Sequence, residues 1–526
     1  MAKTKTTKPS PATTAPTFSP AHPPITPFES PAQARAVSRI DMLVFGRLAQ
    51  LGTRPANLCS DEVFVRRAFL DVIGTLPTSV EVRAFLSDRS PTKRAALIDK
   101  LLARDEYADY WAMKWADLLR IKSEFPVNLW PMAAQGYHRW VHDRMRENQP
   151  YDKFVRDILT SSGSNFRVPQ VNFFRAVTAK KPEGMAQGVA LTFMGIRTDK
   201  WPKDKLSGMA AFFSQIGYKG TGEWKEEIVF WDPSKAVPAP DGGLPIALCP
   251  DGTRTRLAAT EDPRAHFADW LISPQNPWFG TIVVNRIWSW LLGRGIIEEP
   301  DDIRPDNPPS NPALLTYLHQ ELFAGNCDLK HIMRLVLNSN TYQLSSVPAV
   351  ASPTGEANFA HYTIRRLDAE VIIDAVDQLT GSMEGYSSAT PEPFTFIPED
   401  QRSIALADGS ITSAFLELFG RPARDTGMAA ERNNRPSPAQ RLHMFNSSHM
   451  QRKIDRGPKI IALLQSTKSD RDLIDEIYLS VLSRFPTTDE VAAIDEYVKR
   501  PGANRTDAAQ DVIWSLVNSA EFLYRH

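Results

Sequence analysis

The chain has 526 residues, 42% of them hydrophobic, and carries 61 Lys plus Arg against 61 Asp plus Glu. This length suggests about two to four domains, and the neutral balance gives no basic excess to attract nucleic acid or an anionic membrane. No apolar run reaches the ~18 residues of a membrane span. Three scattered cysteines, Cys59, Cys249 and Cys327, form neither a disulfide framework nor a Cys-x-x-Cys pair.

Residues 1–37 open with "MAKTKTTKPSPATTAPTFSPAHPP", a Pro/Thr-rich stretch that reads as a disordered tail. It lacks the apolar core of a secretory leader, which points to the cytoplasm. From Ser38 the pattern turns helical. "IDMLVFGRLAQLG" sets Ile40, Leu43, Val44, Leu48 and Leu51 on one face before Gly52. "SDEVFVRRAFLDVIG" follows, with Ser60 or Asp61 as cap and Gly74 as stop. Thr78 and Glu81 then make a capping box, behind Pro77. The same phrase returns near the other end of the chain. "FLDVIGTLPTSVEV" (69–82) aligns without a gap on "YLSVLSRFPTTDEV" (478–491), where Thr487 and Glu490 repeat the box. A second phrase, an apolar helix with a polar turn and an aromatic, recurs around Tyr107, Tyr342 and Phe522. Its spacing is uneven, so this is no solenoid.

Residues 38–231 thus form one helical domain. Residues 232–262 are a Pro/Gly-rich linker, with short β-like runs in and just before it such as "EEIVF" and "LPIAL". Residues 263–526 form a second helical domain, entered at Asp262 as cap with Pro263 in the first helical position. The expected fold class is mainly α, in two helical domains with minor β structure.

Candidate chemistry is sparse. His138 and His142 stand at i and i+4, but Arg139 occupies the Glu position of a zinc-protease motif. Glu298, Glu299, Asp301, Asp302 and Asp306 are dense without an EF-hand spacing. "VVNRIWSWLLGRG" carries Asn285, Arg286, Trp288 and Arg294. Together with Asp301 and Asp302 these make a candidate binding surface, set against a reading in which the Trp residues are core and Arg286 ties down a loop. No nucleophile elbow, Walker loop or dinucleotide fingerprint is present. No catalytic, cofactor or metal residues are expected.

Two families are resembled. "RLAQLGTRPANLCSDEVFVRRAFLDVIGTLPTSVEVRAFL" with "YADYWAMKWADLLR" resembles the planctomycete cytochrome-associated domain of unknown function fifteen-forty-nine. "NPWFGTIVVNRIWSWLLGRGIIEEPDDIRPDNPPSNPALL", "RRLDAEVIIDAV" and "ERNNRPSPAQRLHMFNSSHMQRKI" resemble its partner, planctomycete-specific domain fifteen-fifty-three. The resemblance implies occurrence in planctomycetes and verrucomicrobia, export to the cell envelope, and a sulfatase-like protein encoded nearby as partner. It also implies a Cys-x-x-Cys-His segment between Arg197 and Trp201 and a Cys-x-Cys pair within residues 426–432. Both are missing here, leaving Arg197, Trp201, Thr426 and Arg432 as remnants of a lost metal or haem site. Three functions stay in view: a non-enzymatic scaffold or partner-binding protein, an enzyme on a large, sulfated carbohydrate, and a redox role of the cytochrome-associated kind.

Overall fold

The computed structural model describes residues 18–19, 22–236, 244–467, 469–500 and 504–526. The protein is mainly helical with short strands, as the hydrophobic spacing predicts. The caps fall where the sequence puts them. Ser60 accepts from the Val63 amide, Asp262 from Arg264, and Thr78 and Thr487 each close a capping box with Glu81 and Glu490. Gly74, with φ +59°, lies against Tyr110, whose ring a Cβ would meet at 2.5 Å. The equivalent position in the second copy is Ser483, at φ 60°.

The two copies of the repeated phrase are neighbours in space. Arg66, on the helix Asp61–Val72, donates to the Val481 carbonyl at 2.7 Å and to the Phe522 carbonyl at 3.0 Å. Its guanidinium satisfies one of the orphan carbonyls at the end of the helix Asp470–Leu482. Arg67 beside it reaches the carbonyls of Tyr342, Leu344 and His526. The aromatics of the second recurring phrase, Tyr107, Tyr342 and Phe522, are all buried. The end of the chain then pairs as a strand, Tyr524–Arg525, with Arg365–Arg366. The first and second helical stretches therefore share one continuous hydrophobic core rather than two separate ones. Trp111 and Trp115 of the first meet Trp290 of the second at 5.5 and 6.0 Å.

The expectation about the tail is corrected, and the β-like runs in and before the linker form strands. The tail was expected to run to residue 37, yet within residues 22–37 Glu29 and Ala34 are buried and Phe28 and Ala36 pack against the core, while half of the stretch stays exposed. The Glu29 carboxylate accepts from the Ile25 amide at 3.0 Å and from Asn57 Nδ2 at 3.2 Å, and Ser30 and Ser60 bond across to Leu58 and Phe28. Backbone pairing with residues 58–60 holds a stretch whose composition alone gave no reason for order. Residues 1–17 and 20–21 of that expected tail lie outside the described residues. In the linker, residues 237–243 also lie outside them, but Ile246–Leu248 and Arg254–Arg256 form a hairpin on the helix Lys203–Ala210. A second hairpin pairs Ile216–Gly220 with Glu227–Trp231. Among the described residues no helix is long and apolar enough to cross a membrane.

A shared core has a direct consequence. Residues 38–231 expressed alone are expected to remain unfolded, because Trp111, Trp115, Arg66 and Arg67 lose their partners. A collapsed amide spectrum is the expected result, and a well-dispersed one would contradict it.

Candidate functional site

A cavity of about 800 Å³ lies where the two stretches meet. The helix Asp105–Leu118 supplies Tyr110, Lys114 and Asp117, spaced along one face. The helix Phe279–Leu292 supplies Arg286 and Trp290. Asp368, at the start of the helix Ala369–Thr380, the segment 429–435 and Arg525 of the last strand close the rest.

Its floor is a buried network of ion pairs. The Arg432 guanidinium donates to Asp117 at 2.8 Å and to Glu370 at 2.7 Å. Asp117 also accepts from Arg424 Nε at 3.0 Å. Asp368 accepts from Lys114 Nζ at 2.9 Å, Asn434 Nδ2 at 2.7 Å and Arg525 Nη2 at 3.2 Å. Arg525 and Arg365 then share Asp71, which also accepts from the hydroxyls of Tyr342 and Tyr362. A second pair stands beside this network. Arg286 binds Asp301 at 2.6 Å and the carbonyls of Leu191 and Thr192, while Asp301 accepts from the Ala429 amide at 2.6 Å.

The protonation states follow from these contacts. Burial would raise the Asp368 carboxyl, but Lys114, Arg432 and Arg525 outweigh it and hold it well below the usual range. Glu370 is lowered in the same way, against burial, by Arg432 and Arg421. Burial lowers Lys114, partly offset by Asp368. Asp368 and Glu370 are therefore ionised and committed to cations, which suits holding a ligand better than passing protons at neutral pH.

The residues singled out in the sequence are distributed unevenly around this cavity. Arg286 lines it, Asp301 sits behind the Ala429 wall, and Arg432 is the hub of the floor. The remaining members do not form a binding surface. Asn285 is fully buried and exchanges hydrogen bonds with the Ile297 backbone. Trp288 is fully buried against Phe359. Asp302 pairs with Arg304 on the surface, and Arg294 is half-buried and does not line the cavity. An apolar helix this central buries its Asn and Trp, so the surface expectation is corrected. Arg286 does tie down a loop, in line with the alternative reading.

The two segments read as remnants flank one loop. Arg197 reaches Glu299 at 3.3 Å, the Gly195 carbonyl accepts from Ile303, and Ala429 donates to Asp301. Thr426 turns to Glu431, while its carbonyl accepts from Arg120 at 3.0 Å. Gly427, at φ +71°, lets Arg120 pass where a Cβ would stand 2.5 Å from the guanidinium. Trp201 is half-buried under Lys205. Among the described residues no group of three or more His, Cys, Asp or Glu converges as a metal-ligand set.

Lys114, Asp117, Asp368, Glu370 and Arg525 were not anticipated. A signal for the first two was present: in "YWAMKWADLL" a Lys and an Asp interrupt a run that is otherwise apolar and aromatic. A separate surface was also missed. The loops 122–130, 221–226 and 391–398 bring Trp130, Trp224 and Phe394 together, with centroids 6.2 and 5.4 Å from Trp130. Trp224 is 66% exposed, Phe394 51%, and Phe125 and Phe396 on the same loops 85% and 67%. Lys225 covers the faces of both Trp rings.

His138 provides a pH test of this region. It is buried, and burial, then Arg424, His142 and Arg421, push it from 6.5 to about 3. A depressed folded pKa means stability is full above pH 6.5 and falls as pH drops toward 3. His526, pushed down to about 4, acts in the same sense, and Asp374, raised by burial to about 6, in the opposite one. His138→Gln should flatten the parent's loss by on the order of 1 kcal/mol per pH unit in this window. Urea titrations of both proteins from pH 7.5 downward check this, and parallel curves would contradict it.

Comparison with known proteins gives two matches. Residues 39–217 match the model of PSCyt2, a protein of unknown function (DUF1549), and residues 263–498 match that of PSD1, a protein of unknown function (DUF1553). No curated protein and no solved structure matches the chain.

Proposed function

For a chain built of a PSCyt2 domain followed by a PSD1 domain, we propose a non-enzymatic partner-binding role, with the aromatic loop surface as the docking face for another protein. The carrying observation is that surface: three loops converge at Trp130 and expose Trp224 and Phe394, while Phe125 and Phe396 are exposed on two of the same loops. Aromatic side chains are enriched at protein interfaces, and contiguous exposed apolar groups are costly to keep without use. The loop carrying Phe125 is held in place, since the Ser123 amide donates to Asp408 and the Glu124 amide to Ser410. A preorganised loop loses little entropy on docking. The partner that the family resemblance implies is a sulfatase-like protein.

The enzyme reading has less support. Asp301 is locked to Arg286, Asp302 is paired with Arg304 and Trp288 is core, so no free carboxylate pair remains of the residues it invoked, and of its two candidate stacking residues, Trp288 and Trp290, only Trp290 lines the cavity. The redox reading keeps no ligand set among the described residues, and Cys59, Cys249 and Cys327 are each buried and unpaired.

Trp224→Ala combined with Phe394→Ala is expected to weaken binding of the purified sulfatase-like protein at least about tenfold, as for interface hot spots. Calorimetric titration reads the affinity, and an unchanged melting temperature shows that the fold is intact. Equal affinity of parent and variant would contradict the proposal.

A further inference from the structure

The two copies of the repeated phrase differ in how the space around them is filled. Beside the first copy, Phe64 of the helix Asp61–Val72 stacks on Phe85 of the helix Ser79–Ser87, with centroids 6.0 Å apart and planes at 23°. The next helix, Lys93–Leu102, covers these rings with two cations. Lys93 Nζ stands 4.8 Å from the Phe85 centroid, and the Arg94 guanidinium carbon 4.6 Å from that of Phe64. The gapless alignment of 69–82 on 478–491, carried through the flanking helices, sets Leu473 against Phe64 and Ile494 against Phe85. The recurrence that sets Phe522 against Tyr107 likewise puts Ala508 against Lys93 and Ala509 against Arg94. All four side chains are smaller in the second copy.

These four residues line one cavity of about 410 Å³ between the helices Asp470–Leu482, Thr488–Val498 and Arg505–Val517. Large-to-small replacement leaves space wherever the surrounding elements do not close in. Here they have not closed: Val82 and Phe85 are buried on the first copy's helix, whereas Thr488–Val498 has no buried residue. Val498 is exposed and Ile494 and Val512 are half-buried, so apolar wall is open to entry. The charges on the lining balance. Arg505 pairs with Asp470 at 2.7 Å and gives its terminal nitrogens to the carbonyls of Leu464 and Thr467. Asp495 and Lys499 stand four positions apart on one helix and offset each other. We propose that this cavity binds an uncharged aromatic small molecule, in the place that the Phe64–Phe85 stack fills beside the first copy. Its volume and apolar walls are those of a small-molecule site, and apolar cavities of this kind take up aromatic molecules in preference to water. None of the lining residues belongs to the aromatic loops, so this inference goes beyond the docking face and stands without it.

The test is fluorescence titration of the full chain with the neutral fluorophore N-phenylnaphthylamine. Saturable binding is expected, weakened at least tenfold by Leu473→Phe combined with Ile494→Phe, which rebuilds the first copy's ring stack inside the cavity. Methyl spectra of the parent locate the site without a variant, and the Ile474, Ile477 and Ile494 signals should shift as the fluorophore is added. Naphthylmethanol should displace the fluorophore at least tenfold more effectively than naphthoate, because a carboxylate finds no free counter-charge on apolar walls. No saturable binding, equal affinity in parent and double variant, or methyl shifts confined to other parts of the chain would each overturn the proposal. Equal displacement by naphthoate would overturn its restriction to uncharged ligands.

Discussion

The Arg432 guanidinium is the fastener of this molecule. One edge grips Asp117 on the helix Asp105–Leu118, and the other grips Glu370 on the helix Ala369–Thr380. These acids lie far apart in sequence, one in each family stretch, and the arginine itself comes from a third segment. Removing one partner of such a buried pair leaves an uncompensated charge and costs about 3–5 kcal/mol. Apolar residues of similar size could stabilise the same interface as well or better. What they would not provide is a fixed register between helices whose remaining contacts are broad aromatic surfaces such as Trp111 and Trp115 on Trp290. The charged cavity exists because that register is held open around polar groups instead of collapsing onto apolar ones.

The ends of the chain are organised by the same logic of arginines reaching across sequence. Arg66 and Arg67, consecutive on one helix, bond to carbonyls near residues 342, 344, 481, 522 and 526. Consecutive helical positions point about 100° apart, so the pair serves two different neighbours. The repeated phrase thus has its two copies lying side by side, with Arg66, three residues before the first copy, bonded to the end of the second copy's helix. Its Pro-turn and capping box are instructions for starting a helix, and they recur because the same junction is built twice.

Local features were legible in the sequence and long-range ones were not. The caps at Ser60, Thr78, Asp262 and Thr487 depend on residues within three positions of one another, so spacing alone reveals them. The order of residues 28–30 depends on strand-like pairing with residues 58–60, which the Pro-rich composition around them conceals. The cavity floor depends on pairs such as Lys114 with Asp368 and Arg365 with Asp71, whose separations no pattern specifies. Arg432 stands out in the sequence only through the family resemblance, and it matters in the fold as the partner of Asp117 and Glu370. Asn285 and Trp288 were grouped with Arg286 because they share a helix, but the helix is buried on most sides and only part of its surface meets the cavity. A Lys and an Asp inside an otherwise apolar and aromatic run, as at Lys114 and Asp117, is the readable sign of the polar network.

The central claim is that the Asp117–Arg432–Glu370 contact joins the two stretches energetically. A double-mutant cycle on Asp117→Asn and Arg432→Met, followed by urea denaturation at neutral pH, measures it most directly. The account predicts a coupling energy above about 1.5 kcal/mol, with the double variant much less destabilised than the sum of the single ones. Additive losses within about 0.5 kcal/mol would contradict it.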